Sequence, residues 1–427
     1  MAKKNLATAT AVNTMQLGNS IIIEVGGSVR RITLANLIDA INSGDTQLLH
    51  SVAWGVPLKQ NLSSPAWGRV GNLNLWEEYK AKSGRYLVKQ NGTAAKLSTE
   101  NSGIYADGTP LDETDGNIMV VFPDLYYRVV SDPVTNVNYL WMSMIPIGGH
   151  VIKHPVIGAY KGTTTLTELV SRSGAAPAGS KTISQFLQLA KMNGSNWGLT
   201  NYDHIRFMMM LALSEYGSPN IQAQLGYGLC GSTSNGVGWT ETQSLQTGAT
   251  KSLGDAAGKI DVSVSGGTNC SHVSLFGIED PYGWQWEMIQ GIYCGSSSNS
   301  GQTGSEVFVY EGNRMPSAAE LASHPSGEYR ELNRLTSSGY IKTELLGEYF
   351  DLFPASLDGG STSYWCDYSY ASTTGQLVLW GGVADSGAAC GLAYVHSYNA
   401  FSGSNAYFGA RLAYYGELTI VNGADIA

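Results

Sequence analysis

The sequence predicts an α+β fold, with small β-rich N-terminal domains leading into a large domain that holds two helices and a loop-rich mixed β core. Two segments with the apolar spacing of helices lie mid-chain, Thr182 to Met192 and Ile205 to Tyr216. Short strand-like runs divided by turn residues precede them. The half that follows is dominated by Gly, Ser, Asn and Tyr. A chain of 427 residues fits two or three domains.

In order along the chain, Ser20 to Val25 (SIIIEV) reads as a strand. A turn at Gly26-Gly27 follows, and then a helix from about Thr33, with Leu34, Leu37, Ile38 and Ile41 on one face and Ser43-Gly44 as its end. So short a helix must pack on neighbours, in the chain or in an oligomer, so residues 1–50 are expected to serve attachment or oligomerisation. Residues 51–115, with turn signals at Ser63-Ser64-Pro65, Asn91-Gly92 and Asp107-Gly108, read as a small β-rich connecting domain. Strands are predicted at Ile118 to Phe122, Tyr126 to Val130 and Tyr139 to Ile145, and Ser171 to Gly179 reads as a linker.

The helix at Thr182 to Met192 places Ile183, Phe186, Leu187 and Ala190 on one face. The next is apolar nearly all round, because Phe207, Met210 and Leu211 supplement the stripe of Ile205, Met208, Met209, Ala212, Leu213 and Tyr216. Such a helix is buried, which makes the Met208-Met209-Met210 run core packing, and Gly217 and Pro219 end it. From Gly226 onward the only clear element is a short helix at Ser317 to Ala322, where Ser317 and Glu320 form a capping box.

Composition excludes several functions. Hydrophobic residues at 43% and charged residues at 14%, with 52 Gly, 24 Tyr and 10 Trp, describe a folded, loop-rich protein. A net charge of -9 with no basic stripe removes the phosphate-neutralising attraction on which nucleic-acid affinity rests. No apolar run is long enough to cross a bilayer, and the start of the chain lacks the apolar core of a signal peptide, so synthesis in a cytoplasm without membrane insertion is expected. Cys230, Cys270, Cys294, Cys366 and Cys390 are widely spaced, with no Cys-x-x-Cys pair, and read as buried free thiols; no metal and no cofactor is expected.

Three stretches carry a resemblance. Phe276 to Ile292, FGIEDPYGWQWEMIQGI, is similar to the Gly-x-Glu-Asn-x-x-Gly-x-x-Trp-Glu-Trp segment of the formylglycine-generating-enzyme type of C-type lectin fold, with Asp280 in place of the Asn and Met288 in place of the second Trp. Gly409 to Tyr415, GARLAYY, resembles the Gly-Ala-Arg motif that closes that fold. Between them lies Trp380 to Gly409, WGGVADSGAACGLAYVHSYNAFSGSNAYFG. Over roughly residues 117–427 the chain thus resembles the C-type-lectin-fold variable proteins of diversity-generating retroelements. The resemblance implies a lectin-like receptor-binding domain over 116–427, with a variable region at about 361–409. It further implies a phage tail-fibre protein of the virion, a homotrimer joined to other tail proteins, binding a bacterial cell-surface receptor that is a glycan or a protein.

Residue usage in the variable stretch agrees. Such systems copy template adenines with errors, so Asn codons ending in a pyrimidine become codons that cannot encode Trp, Met, Gln, Lys or Glu. Between Ser361 and Phe408 there is no Lys, Glu, Met, Arg or Pro. The predicted contact positions are Ser361, Ser363, Tyr364, Tyr368, Tyr370, Val383, Asp385, Ser386, Ala389, His396, Tyr398, Gly403, Asn405, Tyr407 and Phe408. Glu287, Trp365, Trp380 and Arg411 are predicted to be framework. Tyr gives large contact area at low entropy cost while Ser, Gly and Asn adapt their hydrogen bonds, the balance that antibody paratopes use.

Catalytic alternatives are weaker. Formylglycine-generating enzymes use a cysteine pair in this region of the fold, which brings Cys366 and Cys390 into consideration, yet neither sits beside groups that would tune a thiolate. No nucleophile elbow surrounds His272 or His396, and the former reads as a satisfied core side chain. Glu279, Asp280 and Glu287 lack the Glu-Pro-Asn and Trp-Asn-Asp signatures of calcium-dependent lectins and are expected to hold loop backbone. The expected class is a binding protein, not an enzyme. The alternatives are a formylglycine-generating-enzyme-like oxidoreductase and a cellular lectin-like surface protein.

Overall fold

Both mid-chain helices form where their periodicity places them, and each starts on a complete capping box. The first spans Ile183–Lys191 behind Thr182, whose side chain accepts from the Gln185 amide while Gln185 returns a bond to the cap. The second spans Tyr202–Tyr216 behind Asn201 and ends at Gly217, which adopts φ 58° and donates its N–H to Leu213. That left-handed conformation is one glycine adopts without strain. The second helix is buried along almost its whole length, and Met208, Met209 and Met210 are all core residues. The capped helix further on is also present, at Ala318–Ser323, with Ser317 and Glu320 bonded reciprocally.

The computed structural model describes residues 20–25, 28–33, 46–59, 68–132, 136–310, 314–323 and 327–426. The architecture is mixed α/β and β-rich, with few helices. Ser20–Val25 is a strand as predicted, antiparallel to Ser28–Thr33, with Ser20 opposite Thr33. The helix expected from about Thr33 to Ser43-Gly44 lies outside the described residues but for Thr33, which ends the second strand.

Two sheets frame the buried helix. One runs in the order His150–Ile152, Leu125–Asp132, Val137–Ser143, Trp54–Leu58, Val70–Gly71. The other runs Trp197–Leu199, Leu412–Tyr414, Val156–Gly158, Asn117–Val121, Gly84–Val88, Thr93–Lys96, Thr419–Val421. Strands from residues 54–96 therefore share sheets with strands from 117–158 and from the C-terminal end, and the boundary drawn at 115/116 is corrected. The segment was expected to be a small β-rich domain. It contains a helix, Leu73–Lys82, which buries only Trp76 and Tyr79 and so has little amphipathic signature. Those two rings close on Trp54 at 5.8 and 5.6 Å, and Phe276 meets Trp76 at 5.4 Å.

Ser171 to Gly179 is likewise no free linker. The Ser171 hydroxyl is buried, donates to the Ile118 carbonyl at 2.7 Å and accepts from the Tyr160 amide at 3.1 Å. The amides of Ala178 and Ser180 bond Gly162 and Asn405.

The C-terminal half holds a third sheet, in the order Tyr329–Asn333, Glu306–Tyr310, Trp286–Cys294, Leu377–Trp380, Val395–Ser397, Tyr368–Ala371, Gly339–Tyr340. Its central strand, Trp286–Cys294, is buried at every residue and so has no alternation to read in the sequence. Phe408–Ala410 runs parallel to its first residues, pairing Glu287 with Gly409. A register shift between Met288 and Tyr293 marks a bulge, where Gly291 takes φ 78° and the Gln290 amide turns to Thr200 at the start of the buried helix. Among the described residues no helix is long and apolar enough to cross a membrane.

Candidate functional site

Glu287, Trp365, Trp380 and Arg411, expected to be framework, are all buried. Arg411 is fully buried and spends its guanidinium on one carboxylate and four carbonyls. Nε and Nη2 donate to Glu287 Oε1 at 3.0 and 2.8 Å, Nη1 to Gly158 and Ala159, and Nη2 to Glu279 and Asp280. Lys161 Nζ reaches the same Glu287 oxygen at 2.9 Å and the Gln285 carbonyl at 3.0 Å. Burial by itself would raise the Glu287 carboxyl, but Arg411 and Lys161 override it and hold it below the usual range. Trp380 is the register partner of Glu287, and its indole N–H donates to Leu392 at 2.7 Å. Trp365 is buried against Tyr364, with ring centroids 6.3 Å apart.

Of the three acids expected to hold loop backbone, Glu279 and Asp280 do so, whereas Glu287 pairs with the side chains of Arg411 and Lys161. Glu279 accepts from the amides of Gly248 and Thr250 and the Thr250 hydroxyl, at 2.7, 2.7 and 2.8 Å. Asp280 accepts from the Val273 amide and pairs with His272 Nδ1 at 2.7 Å. Burial would lower the His272 pKa, but the Asp280 charge outweighs it and the pKa rises. His272, Glu279 and Asp280 could bring ligand atoms within 4.8 Å of one another, yet these oxygens already serve protein donors.

The contact positions divide by burial. Tyr370 and Tyr398 are 40% and 49% exposed. Tyr370 and His396 are register partners in the parallel pairing of Tyr368–Ala371 with Val395–Ser397, which puts their rings on one face 5.1 Å apart. Tyr398 continues that face at 5.1 Å from Tyr370, and Tyr368 stands half-buried between Tyr340 and Tyr394. Ser361 and Asp385 are exposed, and Ser363, Ser386, Ala389, Gly403, Asn405 and Tyr407 are half-buried. Several of the small residues shape loops: the Ser363 hydroxyl closes a turn on Gly360, and that of Ser386 accepts from the Val383 amide at 3.0 Å.

Tyr364, Val383 and Phe408 are corrections. All three are buried in the chain, at 3%, 4% and 4% exposure, and cannot offer their side chains to a partner. Phe408 begins the strand paired with Trp286, which turns its ring inward against Tyr407.

Two residues that sequence reasoning passed over belong to this surface. Arg334 is buried, and its guanidinium binds the carbonyls of Ser372, Gly375 and Ser397 at 2.9, 2.7 and 2.5 Å, with Gly295 and Gly304 besides. It ties the two loops that carry Tyr370 and Tyr398. An Arg in a charged segment with Arg330 and Glu331, outside the variable stretch, gives no sequence signal. Trp239, much farther away in the sequence, meets Tyr407 at 6.4 Å.

His396 lies among Trp286, Tyr370 and Tyr398, and burial there pushes its pKa down to about 4. The unfolded value is about 6.5. The unfolded chain therefore binds the proton more readily, and His396 contributes stability at neutral pH that is lost as pH falls below about 6.5. Its imidazole resonances are expected to stay those of the neutral ring from pH ~8 to ~5.5, with a midpoint well below the ordinary value. An NMR titration in which His396 titrates like a free histidine would show a solvated ring and a different surface.

The thiols bear on the catalytic alternative. All five cysteines are free and buried. Contrary to the expectation that no tuning group stands beside either thiol, Asp367 directly follows Cys366, and with burial it pushes that thiol well above its usual range; burial with the adjacent Cys230 does the same to Cys390. Neither is poised as a thiolate nucleophile.

No protein-family model and no curated protein matches the chain. Among solved structures, Major Tropism Determinant M1 Variant is similar at a TM-score of 0.26 and 11% identity, over 80% of this chain and 85% of that one.

Proposed function

We propose that the chain is a phage tail-fibre receptor-binding protein whose diversified C-terminal surface binds a receptor on a bacterial host. The observation that carries this reading is the ring cluster in which exposed Tyr370 and Tyr398 flank half-buried His396, inside the stretch that lacks Lys, Glu, Met, Arg and Pro. Exposed aromatics grouped over a rigid base are what a binding surface requires, since aromatic anchors contribute most of the energy of an interface. Buried arginines bonded to backbone carbonyls support the same reading, because they fix the loop ends independently of the side chains that vary between them. The protein works in the virion, after synthesis in the host cytoplasm, as a homotrimer whose residues 1–50 join other tail proteins.

The encoding locus provides the test. Beside the gene there should be a reverse-transcriptase gene and a template copy of the coding region for residues 361–409 that differs from it mainly at adenines. A locus with neither, outside any cluster of phage structural genes, overturns the proposal.

A further inference from the structure

On the other side of the central strand Trp286–Cys294 from the ring cluster lies a cleft of about 680 Å³. This is within the ~300–1,000 Å³ range of small-ligand sites. Its floor is buried and includes Tyr127, Tyr202, Arg206 and Gln290, and its rim of His150, Asp203, Tyr329, Arg330 and Tyr349 is half-buried. The start of the buried helix, the Glu306–Tyr310 and Tyr329–Asn333 strands and the His150–Ile152 edge all converge on it.

Its charges are matched one against another. Arg330 makes a two-bond pair with Asp351 at 2.6 and 2.7 Å, and its guanidinium lies 4.2 Å from the Tyr349 ring centre. Arg206 is bonded to Asp203, Tyr127 and the Tyr349 carbonyl. Burial lowers the His150 pKa against the opposing pull of Glu348, which favours the neutral ring. An anion would therefore meet Asp203 and Asp351, and a cation would meet two arginines. A neutral ligand bearing many hydroxyls meets neither penalty, because each hydroxyl both donates and accepts and the guanidinium–carboxylate pairs offer donors and acceptors side by side. The tyrosines add apolar ring surface for the C–H faces of a sugar, with hydroxyls at their tips; those of Tyr329 and Tyr349 have no hydrogen-bond partner among the described residues.

We infer that this cleft is a second binding site, for a neutral oligosaccharide, separate from the diversified surface and independent of it. It is built from framework residues outside 361–409, so its specificity stays constant while that surface changes.

The purified full-length chain on an array of neutral, sialylated and sulfated glycans tests this. Binding is expected to be confined to neutral glycans and to fall at least tenfold in Tyr329→Ala, which removes a wall, and in Val151→Trp, which fills the cleft without removing a polar contact. Both variants should keep the parent's circular dichroism and thermal midpoint, and a variant that loses its fold is replaced by the other. A Tyr370→Ser/His396→Ser/Tyr398→Ser variant should keep full glycan binding even when it no longer binds cells, which separates this site from the receptor surface. No neutral glycan bound, only acidic glycans bound, neutral binding intact in a folded cleft variant, or neutral binding lost in the triple variant would each overturn the proposal.

Discussion

Replacing Arg411 by alanine is expected to lower the unfolding free energy by about 3–5 kcal/mol, the cost typical of removing one partner from a buried charged network. The substitution leaves Glu287 with Lys161 as its charge partner in the interior, and it strips four carbonyls, those of Gly158, Ala159, Glu279 and Asp280, of a donor. Water cannot substitute freely at a fully buried position. Because those carbonyls belong to segments far apart in the chain, the loss reaches the second sheet and the 278–280 segment together. Arg411→Lys should recover little, since an ammonium cannot reproduce five directed donors. Thermal and denaturant unfolding measure the effect. A variant that unfolds like the parent while losing receptor binding would make Arg411 a contact residue and remove it from the framework.

The second large effect is on binding. Tyr370→Ser, His396→Ser and Tyr398→Ser together should abolish adsorption to the host and leave the fold nearly intact. Truncating an aromatic anchor at an interface costs about 2 kcal/mol, so the two tyrosines alone correspond to a loss of roughly a thousandfold in affinity. Both are substantially exposed, so little core packing is lost with them. Phe408→Ala is the contrasting control. That ring is buried, and its removal should cost about 3–5 kcal/mol of stability through the cavity it leaves. Circular dichroism and adsorption to host cells decide between these outcomes, and unchanged adsorption by the folded triple variant would reopen the enzymatic alternative.

Local chemistry was legible in the sequence. Thr182 with Gln185, Ser317 with Glu320, and Gly217 announce helix ends through bonds made within a few residues of themselves, and tertiary context leaves them in place. The burial of the Met208-Met209-Met210 helix followed from its lacking a polar face. Glu287 and Arg411, expected to be framework from motifs far apart in the chain, meet at 2.8 Å in the interior.

What the tertiary structure alone decided concerns partners distant in sequence. The Trp286–Cys294 strand carries no alternating pattern because both its faces are covered, and the helix with Trp76 and Tyr79 carries no stripe because it buries so little. Which aromatics of residues 361–409 face outward depends on strand pairing. Tyr370 and Phe408 are equivalent in composition, yet one projects from an outer strand and the other is paired against Trp286 in the interior. Arg334 acquires its role only when the carbonyls of Ser372, Gly375 and Ser397 arrive around it. The sequence by itself determined the two mid-chain helices, the capped helix after Ser317, the burial of the Met208-Met209-Met210 run and a stretch, residues 361–408, free of Lys, Glu, Met, Arg and Pro. The outward face of that stretch, the loop anchor at Arg334 and the union of residues 54–96 with the C-terminal strands were decided by long-range pairing, because burial is a property of what packs against a residue and is not encoded in its neighbours along the chain.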